Sequence, residues 1–538
     1  MLLNLAHVFE AVSAAVPDRT AVVCEQDRLT YAELDARANR LAHHLAAAGV
    51  RPGQHVALHL LNGVEFVEAL LGCLKIRAVP VNVNYRYTDR ELVHLYTDSD
   101  SVALVVDEEF AAAAAGALDR CPLLRRVVVV RGRGGAGAAA PEWPSGVRAA
   151  DYEEALAAAS PVADFAGRSN DDLYIVYTGG TTGNPKGVMW RHEDFFFAAL
   201  GGGNPFGEPH RSAEAVAAGA AAMPEMGFLV PIPLMHGAAS YTLFTALFMG
   251  FKVVLQRRFD PVDCLRLVQE EKTFTLAVVG DAIARPLADA IAAHGAEYDL
   301  SALTHVASGG ALFSRSVREE LRRLLPNVTL RDGFGASESG VDGSVVVGED
   351  GRPRLTVGPA VQVVGPDFRP VAPGSGEPGW VARRGHVPLG YYNDERKTAE
   401  TFRTVDGVRW VMPGDMAVVE EDGSIVLLGR GSQCINTGGE KVFPEEVEEA
   451  LKAHPAVLDA LVAGVPDPRF GQRVAAVVEL RPDAPEPGAA DLQAHCRGLI
   501  AGYKVPAALT VVPSVVRSPS GKADYRWARK VLSGEQQD

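Results

Sequence analysis

Short apolar runs alternate with amphipathic segments along most of the chain. Residues 34–47 place apolar side chains at helical spacing, which predicts an amphipathic helix. Residues 56–61, 102–106 and 127–130 are apolar throughout or nearly so, which predicts buried strands. Strands that alternate with helices are typical of parallel sheets covered on both faces. The pattern therefore predicts an α/β fold built on parallel sheets flanked by helices.

Two glycine-rich stretches interrupt this pattern and predict surface connections. Residues 131–146 are rich in Gly, and residues 201–224 contain an Ala-rich middle that predicts a short helix. A domain boundary is expected near residue 430, where a strand-like run ends. Pro444, followed by acidic residues, then predicts a helix N-terminus. We expect a large N-terminal domain of several subdomains over residues 1–430. A small α+β domain should follow over residues 431–538.

Length and composition narrow the class of protein. A chain of 538 residues is too long for a single core, and a hydrophobic fraction of 47% excludes wholesale disorder. The formal net charge of −15 disfavours general binding to nucleic acid or acidic membranes. The six cysteines form no Cys-x-x-Cys pair, so neither a zinc site nor a disulfide scaffold is expected. With no signal-peptide pattern and no apolar run of about 20 residues, we expect a cytoplasmic protein without a transmembrane segment.

The most informative motif follows the apolar run at residues 173–177. Its sequence is Thr-Gly-Gly-Thr-Thr-Gly-Asn-Pro-Lys-Gly, in which the glycines let the backbone approach a ligand closely. The hydroxyl and ammonium groups offer donors to phosphate oxygens. A P-loop would need Gly-x-x-x-x-Gly-Lys-Ser/Thr, whereas here Pro185 precedes the lysine and Gly187 follows it. By composition alone, a surface turn remains the alternative. The predicted phosphate-binding residues are Thr178, Gly179, Gly180, Thr181, Thr182, Gly183 and Lys186.

The order of residues in this motif resembles the signature of the adenylate-forming superfamily. That superfamily includes acyl-CoA synthetases, adenylation domains of peptide synthetases and beetle luciferases. Six further blocks follow in the family's order, so the resemblance covers nearly the whole chain. It implies a large N-terminal domain that binds ATP and a carboxylic acid, and a small mobile C-terminal lid that rotates over it. ATP, Mg²⁺ and coenzyme A are the implied cofactors.

The resemblance assigns roles to several blocks of the N-terminal domain. His236 would lie beside the substrate carboxylate and the α-phosphate, although a purely structural histidine is the alternative. Glu338, with Thr181, would hold the magnesium, a hard cation that prefers oxygen ligands; a solvated loop carboxylate is the alternative. Phe334 replaces the family's usual tyrosine. The further nucleotide contacts implied are Gly309, Gly310, Gly333, Phe334, Gly335 and Ser337.

The ribose and lid contacts are implied in the same way. Asp415 would accept both ribose hydroxyls, with Arg430 as a second ribose or phosphate contact, while Pro413 replaces the usual threonine. Ser432 occupies the hinge position, followed by Gln433 where aspartate or lysine is more usual. The predicted CoA-binding residues are Gly438, Gly439, Glu440 and Lys441.

Lys522, in the block Arg-Ser-Pro-Ser-Gly-Lys, resembles the family's catalytic lysine, which reaches from the lid to the carboxylate and the α-phosphate. Outside that context, an exposed lysine in such a loop would be a solvated charge. The implied reaction has two steps in one site. The acid first attacks the α-phosphate of ATP to give an acyl-adenylate, and the CoA thiol then displaces AMP after the lid has rotated.

The identity of the acid is less constrained. Candidate walls of the acyl pocket are mostly small residues, which suggests a roomy apolar pocket. They are Met235, Ala239, Gly280, Asp281 and Ala307. The chain is most similar in overall character to actinobacterial fatty-acyl and sterol-side-chain CoA ligases. This similarity implies a medium- or long-chain acid, or a bulky alicyclic one.

Several other functions stay open. An acyl-AMP ligase that loads a carrier protein would share nearly all of these motifs, and a non-catalytic acyl- or nucleotide-binding protein could retain the fold. A peptide-synthetase adenylation module would normally carry an acidic residue in the block that holds His236. A luciferase-like oxygenase needs only the first step. A serine hydrolase is disfavoured because the chain has no Gly-x-Ser-x-Gly elbow. Dimers are common among relatives, so a homodimer is also left open.

Overall fold

The computed structural model describes residues 1–132, 141–165, 167–178, 185–347, 352–437, 440–467, 471–482, 484–517 and 521–534. Within these ranges the strands are β1 Thr20–Cys24, β2 Asp27–Thr30, β3 His55–His59, β4 Val79–Asn82, β5 Ser101–Asp107, β6 Arg126–Val130, β7 Arg148–Asp151, β8 Leu173–Thr178, β9 Lys186–Arg191, β10 Gly227–Val230, β11 Lys252–Leu255, β12 Thr275–Val278, β13 His305–Ser308, β14 Thr329–Ala336, β15 Gly340–Val347, β16 Pro353–Val357, β17 Val361–Val364, β18 Gly379–Arg384, β19 Gly390–Tyr391, β20 Phe402–Val405, β21 Val408–Val411, β22 Asp415–Val419, β23 Ile425–Arg430, β24 Ile435–Thr437, β25 Glu440–Val442, β26 Val457–Asp467, β27 Gly471–Leu480 and β28 Ala508–Val512.

The α-helices of the described residues are α1 Leu5–Ala15, α2 Tyr31–Ala47, α3 Val64–Lys75, α4 Asp89–Asp98, α5 Glu108–Leu118, α6 Tyr152–Ala157, α7 His192–Leu200, α8 Ala213–Ala222, α9 Gly237–Phe248, α10 Pro261–Glu271, α11 Gly280–His294, α12 Arg315–Leu324, α13 Glu395–Thr401, α14 Pro444–Lys452, α15 Ala489–Arg497 and α16 Tyr525–Ser533. Local sequence explains several boundaries. Thr30 caps α2 by accepting a hydrogen bond from the backbone N–H of Glu33, whose side chain accepts in return from the Thr30 N–H. Pro444 begins α14, where its missing N–H costs nothing.

The largest sheet changes from parallel to antiparallel along its width. Strands β1, β11, β10, β12, β13 and β14 pair in parallel in that order, and β2 closes one edge. Beyond β14 the order is β15, β16, β23, β22, β18, β21 and β20, and the pairs are antiparallel. The parallel part brings the carboxyl ends of β10, β12, β13 and β14 to one edge, which is where ligands bind in α/β sheets.

The second sheet lies in the N-terminal part of the chain, with order β19, β9, β8, β4, β3, β5, β6 and β7. Strands β8, β4, β3, β5, β6 and β7 pair in parallel, each with the next. Strand β9 runs antiparallel to β8. All five residues of β3 and all seven of β5 are buried. This burial pattern indicates a sheet covered on both faces.

The third and smallest sheet contains only strands from the C-terminal part of the chain. Its order is β25, β24, β27 and β26, with β28 parallel to β27. Helices α14, α15 and α16 pack with these strands, and a separate buried cluster that includes Ile435, Leu451 and Val462 lies between them. The C-terminal region is thus an α+β unit with its own core.

The predicted mixed α/β fold is confirmed. The helix expected at residues 34–47 is α2, which begins three residues earlier, and the three strands expected first are β3, β5 and β6. The Ala-rich segment of the second interruption forms α8. Part of the first interruption, residues 133–140, lies outside the described residues. The prediction of parallel sheets did not include the antiparallel part of the largest sheet, because a strand pattern in sequence does not show which strands pair or in which direction.

No helix in the described part of the chain is long and apolar enough to cross a bilayer.

Candidate active site

The predicted phosphate loop joins β8 to β9. These strands pair in antiparallel register from Leu173 opposite Arg191 to Thr178 opposite Lys186. Residues 179–184, which include Gly179, Gly180, Thr181, Thr182 and Gly183, lie outside the described residues. The two ends of the loop are nevertheless fixed. Gly187 is required beside it, because a Cβ atom there would lie 2.7 Å from the ring of Tyr177.

The Lys186 ammonium group is held by residues from a distant part of the chain. Its Nζ lies 2.6 Å from Oδ2 of Asp394 and 5.7 Å from the centre of the Tyr391 ring. The hydrogen bond from Lys186 lowers the pKa of Asp394. Asp394 also caps α13, since its other oxygen accepts from the N–H of Lys397 at 2.9 Å. The phosphate-loop lysine is therefore fixed in position by a carboxylate and an aromatic face.

Glu338 follows β14 and accepts a hydrogen bond from Tyr391, with 3.0 Å between the tyrosine hydroxyl and Oε1. Burial raises the pKa of Tyr391, and the charge of Glu338 raises it further, so the hydroxyl remains a donor. The preceding residue, Ser337, is anchored by its carbonyl oxygen, which accepts from Nε1 of Trp190 at 2.9 Å. Tyr391 thus holds the Glu338 carboxylate, and Trp190 holds the backbone just before it.

The donor set at Glu338 fits magnesium. The described residues contain no cluster of three or more His, Cys, Asp or Glu side chains placed to hold a metal. A single carboxylate is what Mg²⁺ uses when nucleotide phosphates and water supply its other oxygen ligands. Glu338 provides such a carboxylate with one oxygen already occupied by Tyr391.

The block that contains His236 lies against the Glu338 block. His236 is the N-cap of α9, and the residue after it, Gly237, is so close to Ser337 that an added Cβ would lie 3.2 Å from the hydroxyl oxygen. Asn82 fixes this turn to the phosphate loop. Its amide donates to the carbonyl oxygens of Tyr177 and Met235 at 2.9 and 2.6 Å.

Gly309 and Gly310 follow β13 and face both α9 and the C-terminal region. A Cβ at Gly309 would lie 3.5 Å from the Cβ of Ala238, and one at Gly310 would lie 3.9 Å from Cε of Lys522. The structure therefore brings Lys522, from the C-terminal unit, against the edge formed by the parallel strands. Gly333 lies at the same edge of the sheet. A Cβ added at Gly333 would lie 3.4 Å from the carbonyl oxygen of Ser308.

Asp415 and Arg430 face each other across adjacent strands. They are register partners in β22 and β23, and Arg430 Nε lies 3.1 Å from Asp415 Oδ1. The guanidinium group also donates to the carbonyl oxygen of Pro413 at 3.4 Å. A backbone oxygen thus contacts the arginine at the position where the family usually has threonine.

Charges from the N-terminal region act on Lys522, which belongs to the C-terminal unit. Burial lowers the pKa of its ammonium group and the nearby Arg430 lowers it further, while Glu338 and Asp415 oppose both effects. The side chain keeps access to solvent although protein surrounds it densely. Lys522 therefore interacts electrostatically with Glu338, Asp415 and Arg430.

The five candidate acyl-pocket residues come from different elements of the fold. Met235 and Ala239 are buried, and Ala307 lies in β13 opposite Ala277 and Arg331. Asp281 instead accepts from the Ser314 N–H at 2.9 Å and lies 3.6 Å from Lys452 of α14. The neighbouring Gly280 has a φ of +47°, and a Cβ there would lie 2.8 Å from that of Ala311.

The predicted hinge lies in a short 3₁₀ turn, Gly431–Gln433. Gln433 is buried, and its side-chain oxygen accepts from Nη2 of Arg529 at 2.5 Å. Gly438 and Gly439 lie outside the described residues. The backbones of Glu440 and Lys441 belong to β25 and pair with Thr437 and Asn436.

Sequence reasoning missed Tyr391, Asp394 and Asn82. Tyr391 is separated by 53 residues from Glu338, and Asp394 by 208 residues from Lys186. The only available signal was the composition of residues 390–394, Gly-Tyr-Tyr-Asn-Asp, because tyrosine and carboxylate groups cluster there.

Two solved structures share this architecture. The anthranilate CoA ligase AuaEII in complex with anthranoyl-AMP superposes with a TM-score of 0.82 at 23% identity, over 100% of this chain and 98% of that one. ATP-bound MatB from Rhodopseudomonas palustris gives a TM-score of 0.80 at 24% identity, over 99% of both chains. At these identities the likeness establishes the fold.

Curated relatives are much more similar in sequence. A medium/long-chain-fatty-acid–CoA/3-oxocholest-4-en-26-oate–CoA ligase of Mycolicibacterium smegmatis is 47% identical over 540 residues, which cover 99% of this chain and 97% of the relative. A 3-oxocholest-4-en-26-oate–CoA ligase of Rhodococcus rhodochrous is 45% identical over 540 residues, 98% of this chain and 96% of the relative.

Family models match both regions of the chain. The model described as AMP-binding enzyme matches residues 9–392, and that of the AMP-binding enzyme C-terminal domain matches residues 446–522. These matches and the full-length relatives confirm the resemblance first carried by the phosphate-loop motif. The chain belongs to the AMP-binding enzyme family, within the adenylate-forming superfamily.

Proposed function

We propose that this protein is an ATP-dependent acyl-CoA synthetase, an acid–thiol ligase. It would convert a carboxylic acid, ATP and CoA into acyl-CoA, AMP and pyrophosphate through an acyl-adenylate. The observation that carries this proposal is the meeting of Lys522 with Glu338, Asp415 and Arg430 at the carboxyl edge of the parallel strands. Lys522 of the C-terminal unit and the charged groups of the N-terminal region would then surround the position where an acid and a nucleotide react.

The first step joins two anions, and their repulsion is the main barrier. An oxygen of the substrate carboxylate attacks the α-phosphorus of ATP, and the bond to the pyrophosphate oxygen breaks. Lys522 would stabilise the charge that develops on the α-phosphate, while Lys186 would bind the departing phosphates. Donors prearranged in this way contribute about 3–4 kcal/mol each to the lowering of the barrier.

The metal site would consist of one protein carboxylate and substrate oxygens. Glu338 would bind Mg²⁺ with its free oxygen, together with phosphate oxygens and a hydroxyl from the loop, for which Thr181 is the candidate. The ion would neutralise triphosphate charge when bound. Tyr391 would keep the carboxylate oriented toward the phosphates.

The second step requires a different position of the C-terminal unit. We assign the boundary to residue 430 and the hinge to Ser432, which lies in the turn between β23 and β24. Rotation would withdraw Lys522 and present residues 438–441 to the pantetheine arm of CoA. The thiol sulfur then attacks the acyl carbonyl carbon, the thiol proton is released, and AMP leaves.

The substrate class rests on the relatives and on small residues in the candidate pocket. The two curated relatives are named for 3-oxocholest-4-en-26-oate, and one also for medium- and long-chain fatty acids. Met235, Ala239 and Ala307 are candidates for the pocket wall, and so are Gly280, which packs against Ala311, and Asp281, which contacts Ser314 and Lys452. We propose a medium- or long-chain acid or a bulky alicyclic acid.

The test is mass spectrometry of products after incubation with ATP, Mg²⁺ and CoA. The panel would contain short aliphatic, aryl, long-chain and steroid side-chain acids. Acyl-CoA and AMP from the long-chain or steroid acids would support the proposal. Acyl-AMP without thioester would indicate a ligase that loads a carrier protein, and the absence of both products across the panel would contradict catalysis on these acids.

A further inference from the structure

Tyr391 lies between two parts of the candidate site that are far apart in sequence. Its hydroxyl donates to Oε1 of Glu338 at 3.0 Å, while the ammonium group of Lys186 lies 5.7 Å from its ring centre. One side chain therefore contacts both the carboxylate that would hold the metal and the lysine that would hold the phosphates. Cation–π contacts at this distance stabilise an ammonium group.

The position of Tyr391 is fixed by the fold. Its strand β19 pairs with β9, so that Tyr391 lies opposite Val188, two residues after Lys186. Its N–H donates to the Thr398 hydroxyl at 2.8 Å, and its ring packs edge-on against Phe402 with 5.5 Å between centroids. Only 7% of the residue is exposed. A side chain held in this way can orient its neighbours.

We propose that Tyr391 is a positioning residue that aligns the Glu338 carboxylate for Mg²⁺ and the Lys186 ammonium group for the ATP phosphates. Its hydroxyl occupies one carboxylate oxygen of Glu338 and so directs the other toward the nucleotide. Its ring face stabilises the lysine without competing for phosphate, because an aromatic ring has no formal charge. This inference rests on the proposed function. It adds that Tyr391 links the binding of Mg²⁺ at Glu338 to the binding of the ATP phosphates at Lys186.

The adjacent tyrosine provides a matched control. The hydroxyl of Tyr392 donates to Oδ2 of Asp100 at 2.9 Å, a bond of the same type and nearly the same length as that of Tyr391. Asp100 lies outside the group of residues assigned to the site. Tyr391→Phe and Tyr392→Phe therefore each remove one hydroxyl–carboxylate bond, and only the first removes a bond to Glu338.

The experiment measures ATP binding by calorimetry on the full-length protein, without acid or CoA, in Mg²⁺ and in EDTA. Tyr391→Phe is expected to weaken binding at least about fivefold in Mg²⁺ and less than about twofold in EDTA, since the ring beside Lys186 remains. Tyr391→Leu removes the ring as well, so binding should also weaken in EDTA. Tyr392→Phe should match the unaltered protein in both conditions.

A second readout separates positioning from general damage to the fold. Thioester formation from synthetic acyl-AMP and CoA needs no triphosphate, so Tyr391→Phe should keep that rate within about twofold while adenylation requires more Mg²⁺. Equal weakening of ATP binding by Tyr391→Phe in Mg²⁺ and EDTA would overturn the inference, as would equal effects of the two Phe variants. Failure of the proposed function would show instead as no acyl-CoA from the unaltered protein, whatever the binding results.

Discussion

Lys522 is the residue on which the two proposed half-reactions differ most. It lies near Glu338, Asp415 and Arg430 in the observed arrangement, which suits charge stabilisation during adenylation. Lys522→Ala should reduce acyl-adenylate formation by at least about 100-fold, as expected for loss of a prearranged donor. Thioester formation from synthetic acyl-AMP should change by less than about threefold. Rapid-quench assays of each half-reaction measure both rates.

Lys504→Ala is the matched control, because Lys504 is also a lysine of the C-terminal unit but pairs with Glu446 at 2.7 Å. The rates of both half-reactions in Lys504→Ala should match those of the unaltered protein. Equal losses in both half-reactions for Lys522→Ala would contradict the assignment.

The rate of adenylation should depend on pH through the lowered pKa of Lys522. Burial and Arg430 lower the pKa of Lys522 below its ordinary value. Since the charged form would stabilise the developing phosphate charge, adenylation should fall as pH rises through this lowered pKa, which lies below the value near 10.4 that is usual for lysine. A pH–rate profile of acyl-AMP formation measures this decrease at alkaline pH. Thioester formation should lack it, and an identical alkaline limb in both half-reactions would oppose the prediction.

At the scale of elements, the β14–β15 hairpin depends on close backbone approach. Gly335 pairs with Val341, and a Cβ at Gly335 would lie 2.1 Å from the carbonyl oxygen of Gly340. Gly335→Ala should therefore separate the strands and displace Glu338, at a cost of about 1–3 kcal/mol in the free energy of unfolding. ATP binding in Mg²⁺ should weaken at least about tenfold.

The control for this hairpin is Gly358→Ala, because nothing lies within 4 Å of a Cβ at that position. Urea unfolding and calorimetry on both variants provide the comparison. Normal ATP binding by Gly335→Ala would show that the hairpin tolerates the added methyl group.

Local patterns predicted the elements better than their partners. The apolar spacing of α2 and the apolar runs of β3 and β5 can be read from a few consecutive residues. By contrast, β19 has only two residues and no recognisable pattern, yet it places Tyr391 between Lys186 and Glu338. The role of Asp394 was missed for the same reason, since pairing over long sequence separations depends on the assembled sheet.

For the candidate site, the motif resemblance pointed to residues that the fold brings together, such as Lys522 and Gly310. It gave less information about the acyl pocket, where the contacts of Asp281 with Ser314 and Lys452 had no signal in sequence. Pocket walls are assembled from several elements and carry no fixed spacing in sequence, so the sequence left them poorly determined.

At the scale of the whole molecule, a few polar contacts join the C-terminal unit to the rest of the chain. The side chain of Glu449 accepts from the Arg315 N–H at 2.6 Å, and Lys452 lies 3.6 Å from Asp281. Near the hinge, Glu445 accepts from the Arg430 N–H at 3.3 Å. Contacts of this kind can exchange for water, which suits the change of position proposed for this unit.

Glu445 should make this arrangement sensitive to pH. Burial raises its pKa to about 8, and the charges of Glu448 and Asp415 contribute to the rise. The folded state therefore binds a proton more readily than the unfolded state, so stability should fall as pH rises from about 4.5 toward 8. The side chain introduced by Glu445→Gln cannot ionise. The decrease in melting temperature between pH 6 and 9 should therefore be several degrees smaller in this variant than in the unaltered protein.

Thermal unfolding across that pH range measures the effect. Glu446→Gln is the control, since Glu446 is the neighbouring residue of α14 and pairs with Lys504 at the surface. An unchanged pH dependence in Glu445→Gln would contradict this source of the effect.

The delivery of Lys522 from the C-terminal unit also has a consequence during translation. The ribosome synthesises Asp415 and Arg430 before Lys522, and the 92 residues from 430 to 522 take roughly 5–20 s to add at typical elongation rates. During that interval the emerging polypeptide contains the proposed ribose contacts without the lysine proposed to assist adenylation. On the proposed roles, a chain that ends before residue 522 would bind ATP without activating acids.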